Sequence, residues 1–356
     1  MTLKNLIISE ITRKGPMMIS SFMEHCLYNQ KFGYYTSKKN TISNLGDFIT
    51  SPEISQVFGE LIGIWLAKTW IDRGKPTPFS LVELGPGNGT MMRDILKAMN
   101  TVTNCVSSAS IILVETSPIL QARQKFVLED YHITWVKTVS DLPDQPIFLI
   151  ANEFLDALPI RQFKKNKGIW YERSVDLAIN GDLHFVYTPS RHNAELHLLH
   201  SSIPNNTVVE TSDAAKSILS ILSEKLTKNS GVSLFIDYGY FEGAGETLQA
   251  VNQHSYANPL ENLGQNDLTA QVNFKDIYTL VQRKGLRASR LESQGTFLKG
   301  LGIKARSEIL AKKMSKTQKT LHLSAINRLV NKNEMGNQFK VMGFTNMGSP
   351  ALPLLE

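Results

Sequence analysis

Cysteine is almost missing: Cys26 and Cys105 are the two in 356 residues. They are too few for a disulfide scaffold and lack metal-ligand spacing, so a reducing compartment and packing roles follow. No uncharged apolar run approaches the ~20 residues of a membrane span; Leu61 to Ala67 is closed off by Glu60 and Lys68. Met1 to Leu6 lacks a signal peptide's apolar core and Glu10 follows soon after, which reads as a soluble cytoplasmic chain without membrane insertion. The net charge of +6 is spread out, with one local excess from Lys304 to Lys319 that has no interleaved aromatics. A solvated helix face fits that excess better than a nucleic-acid surface. The histidine tract His192, His197, His200 is followed by no carboxylate at zinc spacing, which argues against a metal. With 42% hydrophobic and 20% charged residues the chain has the composition of a globular protein with a large core or two.

What is present is organised around Leu81 to Thr90, Leu-Val-Glu-Leu-Gly-Pro-Gly-Asn-Gly-Thr. A short apolar strand runs into glycines at alternate positions, and Met91 to Met99 follows with apolar residues at helical spacing. Gly85, Pro86, Gly87 and Gly89 allow a tight turn and let a ligand lie on bare backbone at a helix N-terminus. Thr90 stands where a dinucleotide fingerprint wants its third glycine, which disfavours NAD. A second apolar stretch, Ile111 to Val114, ends in Glu115, positioned to accept hydrogen bonds from ribose hydroxyls. NAD and S-adenosylmethionine share that requirement.

Taken in order, residues 1 to 30 predict two helices split at Gly15-Pro16, and Ser37 to Asn44 reads as a mobile loop. Thr50-x-x-Glu53 is a capping-box pattern. It opens an amphipathic helix striped by Ile54, Val57, Phe58, Leu61, Ile62, Trp65 and Leu66. Packed beside the first strand, that helix would bring Asp47, Phe48 and Thr50 to the glycine loop. Strands at 80–84, 111–115, 133–136 and 147–151, with helices at 89–99 and 117–130, predict a doubly wound parallel sheet covered on both faces. Asn152, Glu153 and Asp156 then fall at the carboxyl edge, where such sheets bind ligands. Gly231 to Gly239 gives a fifth parallel strand with Asp237 near its end, Gly243 to Gln265 is loop-rich, and Phe339 to Phe344 is expected as the last edge strand. Arg161 to Tyr187 has β composition with turns at Asn166-Lys167-Gly168 and Asn180-Gly181-Asp182, hence inserted hairpins and a candidate substrate or homodimer surface. The expected division is a helical cap over 1–78, a Rossmann-like core over 79–160 and 230–356, and an insert over 161–229.

Methyl transfer from a sulfonium needs alignment more than a catalytic triad. If the acceptor is arginine, its cationic guanidinium must be held by carboxylates. Glu153 and Asp156 are the candidates, with Glu53, Asp47 and Asp237 in reserve; a helix N-cap is the competing role for Asp156. Gly46 to Glu60, the glycine loop, Ala151 to Pro159, Ile236 to Gly239 and Asp267 to Ala270 resemble the MidA family of S-adenosylmethionine-dependent methyltransferases, as do Gln294 to Leu298 and Met335-Gly336. Mitochondrial members of that family methylate arginine on a respiratory complex I subunit during assembly. The resemblance, running from Ile19 to Phe344, implies a class I methyltransferase (Rossmann-like) α/β fold with an N-terminal helical cap and an inserted β-hairpin region. It implies that Gly85, Gly87 and Gly89 contact the cofactor's methionine portion, Glu115 its ribose, and Asn152 with Glu153 the reactive end. Asp47, Phe48 and Thr50 lie in the segment that would close over cofactor and substrate. Many members carry arginine where this chain has Asn88. The absence of a transit peptide is what a bacterial cytoplasmic member would show. The rival readings are a small-molecule or other protein N- or O-methyltransferase, and a non-catalytic cofactor-binding assembly factor. A dehydrogenase is disfavoured by Thr90.

Overall fold

The strands Phe79–Leu84 and Ile147–Asn152 are buried along their whole length, so both faces of the sheet they form must be covered. The structure, a computed structural model, describes residues 2–37, 49–199 and 202–356. Asp47, Phe48 and nearly all of the expected mobile loop lie outside the described residues. Five strands run parallel in the spatial order Gly231–Tyr240, Ile147–Asn152, Phe79–Leu84, Ala109–Val114, Ile133–Val136. The chain leaves Phe79–Leu84 toward one edge and later returns to its other side, so the crevice outside its carboxyl end is the switch point of the sheet.

The expected edge strand is interior. Phe339–Asn346 pairs antiparallel with Gly231–Tyr240 on one side and with Leu286–Ala288 and Glu292–Ser293 on the other. Its alternate residues enter different cores: Val341 joins the cluster on one sheet face, Met342 and Phe344 the cluster on the opposite face. A strand buried on both faces gains most when its backbone is paired on both sides as well. This order, with an antiparallel strand inserted next to the last parallel one, is that of the class I methyltransferase sheet.

One sheet face is covered by the helices Gln56–Asp72 and Thr90–Met99 and by C-terminal helices including Gln294–Gly300 and Lys316–Val330. The other is covered by Asp213–Asn229 and Phe274–Arg283. The helix expected to run unbroken from Thr50 is interrupted. Ser51–Ile54 is a single turn, Ser55 is extended (φ −159°, ψ 132°), and the Ser55 hydroxyl accepts from the Val57 amide to start the long helix. The capping box does not form: the Thr50 side chain caps nothing, and Glu53 turns to the glycine loop instead. Nor is the long helix striped. Most of its residues are buried, because its small side meets a second helix closely enough that a Cβ on Gly63 would lie 2.6 Å from the Ile95 carbonyl.

Leu3–Lys14 and Ile19–Tyr28 pack into a third cluster with the inserted sheet, and Met17–Met18 pairs with Ser174 and Val175. That insert contains the hairpins Arg161–Asn166, Ile169–Leu177 and Leu183–Pro189, with Val208–Thr211 on its far side. The loop-rich stretch also holds order: Gln249–Asn252 and Ser255–Ala257 pair with Asp267–Thr269 as a small sheet. Through these contacts the N-terminal helices carry Tyr28 and Tyr35 to the switch point, a placement with no local sequence signal.

Candidate active site

A cavity of ≈ 430 Å³ opens at the switch point, lined by Gly85, Pro86, Gly87, Glu115, Asn152 and Glu153 among others. The glycine loop is left-handed at each glycine, with φ of 59° at Gly85, 51° at Gly87 and 81° at Gly89. A Cβ at Gly85 would also lie 2.8 Å from the Phe154 ring. Gly89 ends the turn as N-cap of Thr90–Met99 and is not on the cavity wall. Gln124 locks the loop to the acid of the next strand: its amide nitrogen donates to the Gly87 carbonyl at 2.8 Å and to Glu115 Oε2 at 3.2 Å. Trp135 donates to the oxygen of the same amide at 2.9 Å, which fixes its orientation. Glu115 Oε1 accepts from the Ser117 amide at 2.7 Å, and burial raises this carboxyl above its ordinary range against the pull of those donors.

At the other end, Glu153 has φ 51°, a left-handed backbone that a side chain with a Cβ rarely adopts. Strain of this kind persists where surrounding contacts enforce it. Here the Glu153 amide donates to the Ile236 carbonyl at 2.9 Å, while Glu153 Oε1 accepts from the Ser51 amide at 2.8 Å and from Asn152 Nδ2 at 3.0 Å. Burial raises the Glu153 carboxyl above its usual range, partly offset by these donors and by the charge of Arg328. Asp237 faces the turn that follows. Its Oδ2 accepts from the amides of Phe154, Leu155 and Asp156 at 3.1, 2.9 and 3.3 Å. Asp237 therefore shapes the turn instead of facing the cavity, as its reserve role in the site would have required. Asp156 caps no helix, because the chain after it turns and enters Arg161–Asn166. Its Oδ1 has no partner among the described residues, and burial with Asp237, Asp267 and Glu153 nearby drives its carboxyl well up.

Of the residues expected at the site, Gly85, Pro86, Gly87, Glu115, Asn152, Glu153 and Thr50 share one cavity wall. Gly89 and Asp156 do not line it. The wall also includes residues that sequence reasoning did not assign: Glu83, Asn88, Tyr28 and Tyr35. Glu83 had a signal, being the lone acid inside an apolar strand that leads into the loop. The two tyrosines had none.

These features define a nucleotide-cofactor site of the class I methyltransferase kind. The family model described as "Putative S-adenosyl-L-methionine-dependent methyltransferase" matches residues 61–291, and the chain belongs to that family. It is 33% identical over 363 residues to the protein arginine methyltransferase NDUFAF7 homolog, mitochondrial, of Drosophila melanogaster, covering 94% of this chain and 82% of that one. The human mitochondrial protein arginine methyltransferase NDUFAF7 is 32% identical over 360 residues, with 94% and 81% covered. A crystal structure from Burkholderia thailandensis bound to S-adenosyl-homocysteine superposes with a TM-score of 0.84 at 25% identity, covering 98% of this chain and 93% of the other. The chain is thus an S-adenosylmethionine-dependent methyltransferase. Among the described residues, no helix is long and apolar enough to cross a membrane.

The residues present fit that cofactor. Gly85 and Gly87 would present backbone to an amino-acid end, Glu115 would offer a carboxylate to ribose hydroxyls, and Asn152 with Glu153 would close the far side. When bound, the cofactor supplies an electrophilic methyl group on a sulfonium. Beneath the loop, Glu83 Oε2 has no partner among the described residues, and burial pushes the carboxyl up to about 8 from an ordinary 4.5, against the pull of the Met92 amide. A raised acid pKa favours the folded protein while the group stays protonated. The penalty for its ionisation therefore grows as pH rises through 4.5 and is complete above about 8. Glu83→Gln removes the ionisation, so it should raise thermal stability at pH 9, by a free energy on the order of 3–5 kcal/mol, and change little at pH 4.5. Calorimetric melting at both pH values checks this. Equal shifts at the two would show that Glu83 is not the titrating group.

Proposed function

We propose that this methyltransferase acts on an arginine side chain of a protein. The observation that carries the proposal is the acid Glu153, held in a strained backbone at the carboxyl edge of the sheet with a second carboxyl, Asp156, behind it. A guanidinium is planar, cationic and rich in N–H groups, and carboxylates orient it and localise its charge away from the reacting nitrogen. The acceptor nitrogen loses a proton as it gains a methyl. Glu153, whose burial raises its affinity for protons, is the base at hand. Asp156 does not line the wall, and with its carboxyl driven well up it adds little charge of its own beside Glu153. The names of the relatives support a protein acceptor and arginine as its reactive residue. The family resemblance supports a subunit of respiratory complex I as the particular acceptor, and the two buried free cysteines suit the reducing interior of a cell. The inserted sheet is the candidate surface for that acceptor or for a second copy of the chain. In this reading residues 1–78 and 161–229 are cap and insert around the core of 79–160 and 230–356.

The test is transfer of labelled methyl from S-adenosylmethionine into a lysate of cells lacking the protein, followed by mapping of the labelled band. Label on arginine of one protein is the expected result. Label on lysine, on a carboxyl group or on small molecules alone would overturn the arginine reading.

A further inference from the structure

Glu53 stands on the cavity wall beside the glycine loop. Its Oε1 accepts from Asn88 Nδ2 at 3.0 Å and from the Thr90 hydroxyl at 2.8 Å. Arg123 donates to Asn88 Oδ1 at 2.6 Å, so the amide is held from both ends and its nitrogen must face Glu53. Among the described residues, no further donor engages the Glu53 carboxylate. Arg93, the cation that feels its charge, is bound to Asp94 through two hydrogen bonds of 2.9 and 3.2 Å. One oxygen is therefore fixed against the loop and the other is left unclaimed among the described residues.

An oriented carboxylate next to exposed glycine backbone has the chemistry of a receptor for a zwitterionic amino acid. Backbone N–H groups at a helix start suit an α-carboxylate, and a fixed carboxylate suits an α-ammonium. The other acids on the wall are placed for other work. Glu115 is engaged by Ser117 and Gln124, and Glu153 by Ser51 and Asn152. Glu83 is buried, with its carboxyl pushed up to about 8, and is a poor anion at neutral pH. We propose that Glu53 binds the α-ammonium of the cofactor's methionine end, and that Asn88 and Thr90 hold its carboxylate in position to do so. The proposal rests on the cofactor class and is independent of which acceptor the enzyme uses.

Two ligands separate this role from a purely structural one. S-adenosylhomocysteine carries the amino-acid end, whereas 5′-deoxy-5′-methylthioadenosine keeps the nucleoside and sulfur without it. Glu53→Gln retains an oxygen that can accept from Asn88 and Thr90, so the wall is preserved. By calorimetry it should weaken S-adenosylhomocysteine by about 10- to 100-fold, and leave methylthioadenosine within about threefold of wild type. Wild-type affinity for S-adenosylhomocysteine should also fall as pH is raised and the ligand's ammonium loses its proton, with a flatter profile in Glu53→Gln. Equal losses for both ligands, unchanged affinity for S-adenosylhomocysteine, or identical pH profiles in wild type and variant would each overturn the proposal. Thermal melting confirms that the variant is folded.

Discussion

Gly87→Val should abolish measurable binding of S-adenosylhomocysteine while leaving the protein folded. Gly87 sits at φ 51°, where a β-branched residue is a severe outlier. Forcing valine there costs on the order of 1–3 kcal/mol, which a domain of this size survives, so the loop rather than the sheet will give way. The change also places side-chain carbon on the cavity wall and disturbs the carbonyl through which Gln124 ties the loop to Glu115. An affinity loss of about 1000-fold or more, roughly 4 kcal/mol, is expected. Calorimetry gives the affinity and a melting curve gives the fold. A variant that melts normally and still binds within tenfold of wild type would mean that the cofactor does not lie over this loop.

Glu153→Gln should lower kcat by about 10²- to 10³-fold, the usual scale for removing a positioned base or charge, with cofactor affinity within a few-fold of wild type. Glutamine has nearly the same shape and pays the same backbone strain at φ 51°, so the comparison isolates charge and proton affinity. Because the Glu153 carboxyl is raised by burial, the acid limb of the wild-type profile should lie above the ordinary carboxylate range and disappear in the variant. Glu153→Gly is an informative companion. It relieves the left-handed strain, and it should be as inactive as Glu153→Gln while melting at a temperature no lower. Wild-type turnover in Glu153→Gln would remove the residue from the chemistry and return weight to an acceptor that needs no carboxylate.

Much of the fold was legible because its signals are local. The apolar strand, alternate glycines and amphipathic helix of 79–99 lie within a few residues of one another, and Glu115 ends the next apolar strand in line. The insert was legible for the same reason, since its turns at 166–168 and 180–182 carry glycine and asparagine where the chain must reverse. The misreadings arose where a side chain had a local and a distant partner to choose from. Thr50-x-x-Glu53 has the spacing of a capping box, but Asn88 and Thr90 offer Glu53 two side-chain donors from the loop opposite, and Ser55 takes over the start of the long helix. Asp237 looked like another site acid and instead collects three amides of the Glu153 turn. Phe339–Asn346 looked like an edge because its neighbours at 286–288 and 292–293 are too short to read as strands.

Sequence alone was enough for the doubly wound sheet, for the carboxyl edge on which Asn152 and Glu153 fall, and for a loop suited to S-adenosylmethionine and unsuited to a dinucleotide. Each of these follows from hydrophobic period and from the conformations that only glycine adopts cheaply. What each carboxylate does depends on how the chain folds around it. Glu53, Glu83, Glu115, Glu153, Asp156 and Asp237 are chemically alike, and they differ in which donors reach them, near neighbours for Glu115 but distant elements for Glu53 and Asp237, and in how completely water is excluded. Desolvation and hydrogen bonding set the charge and reach of a carboxyl group, and desolvation in particular depends on which elements pack over it, which the residues on either side do not encode.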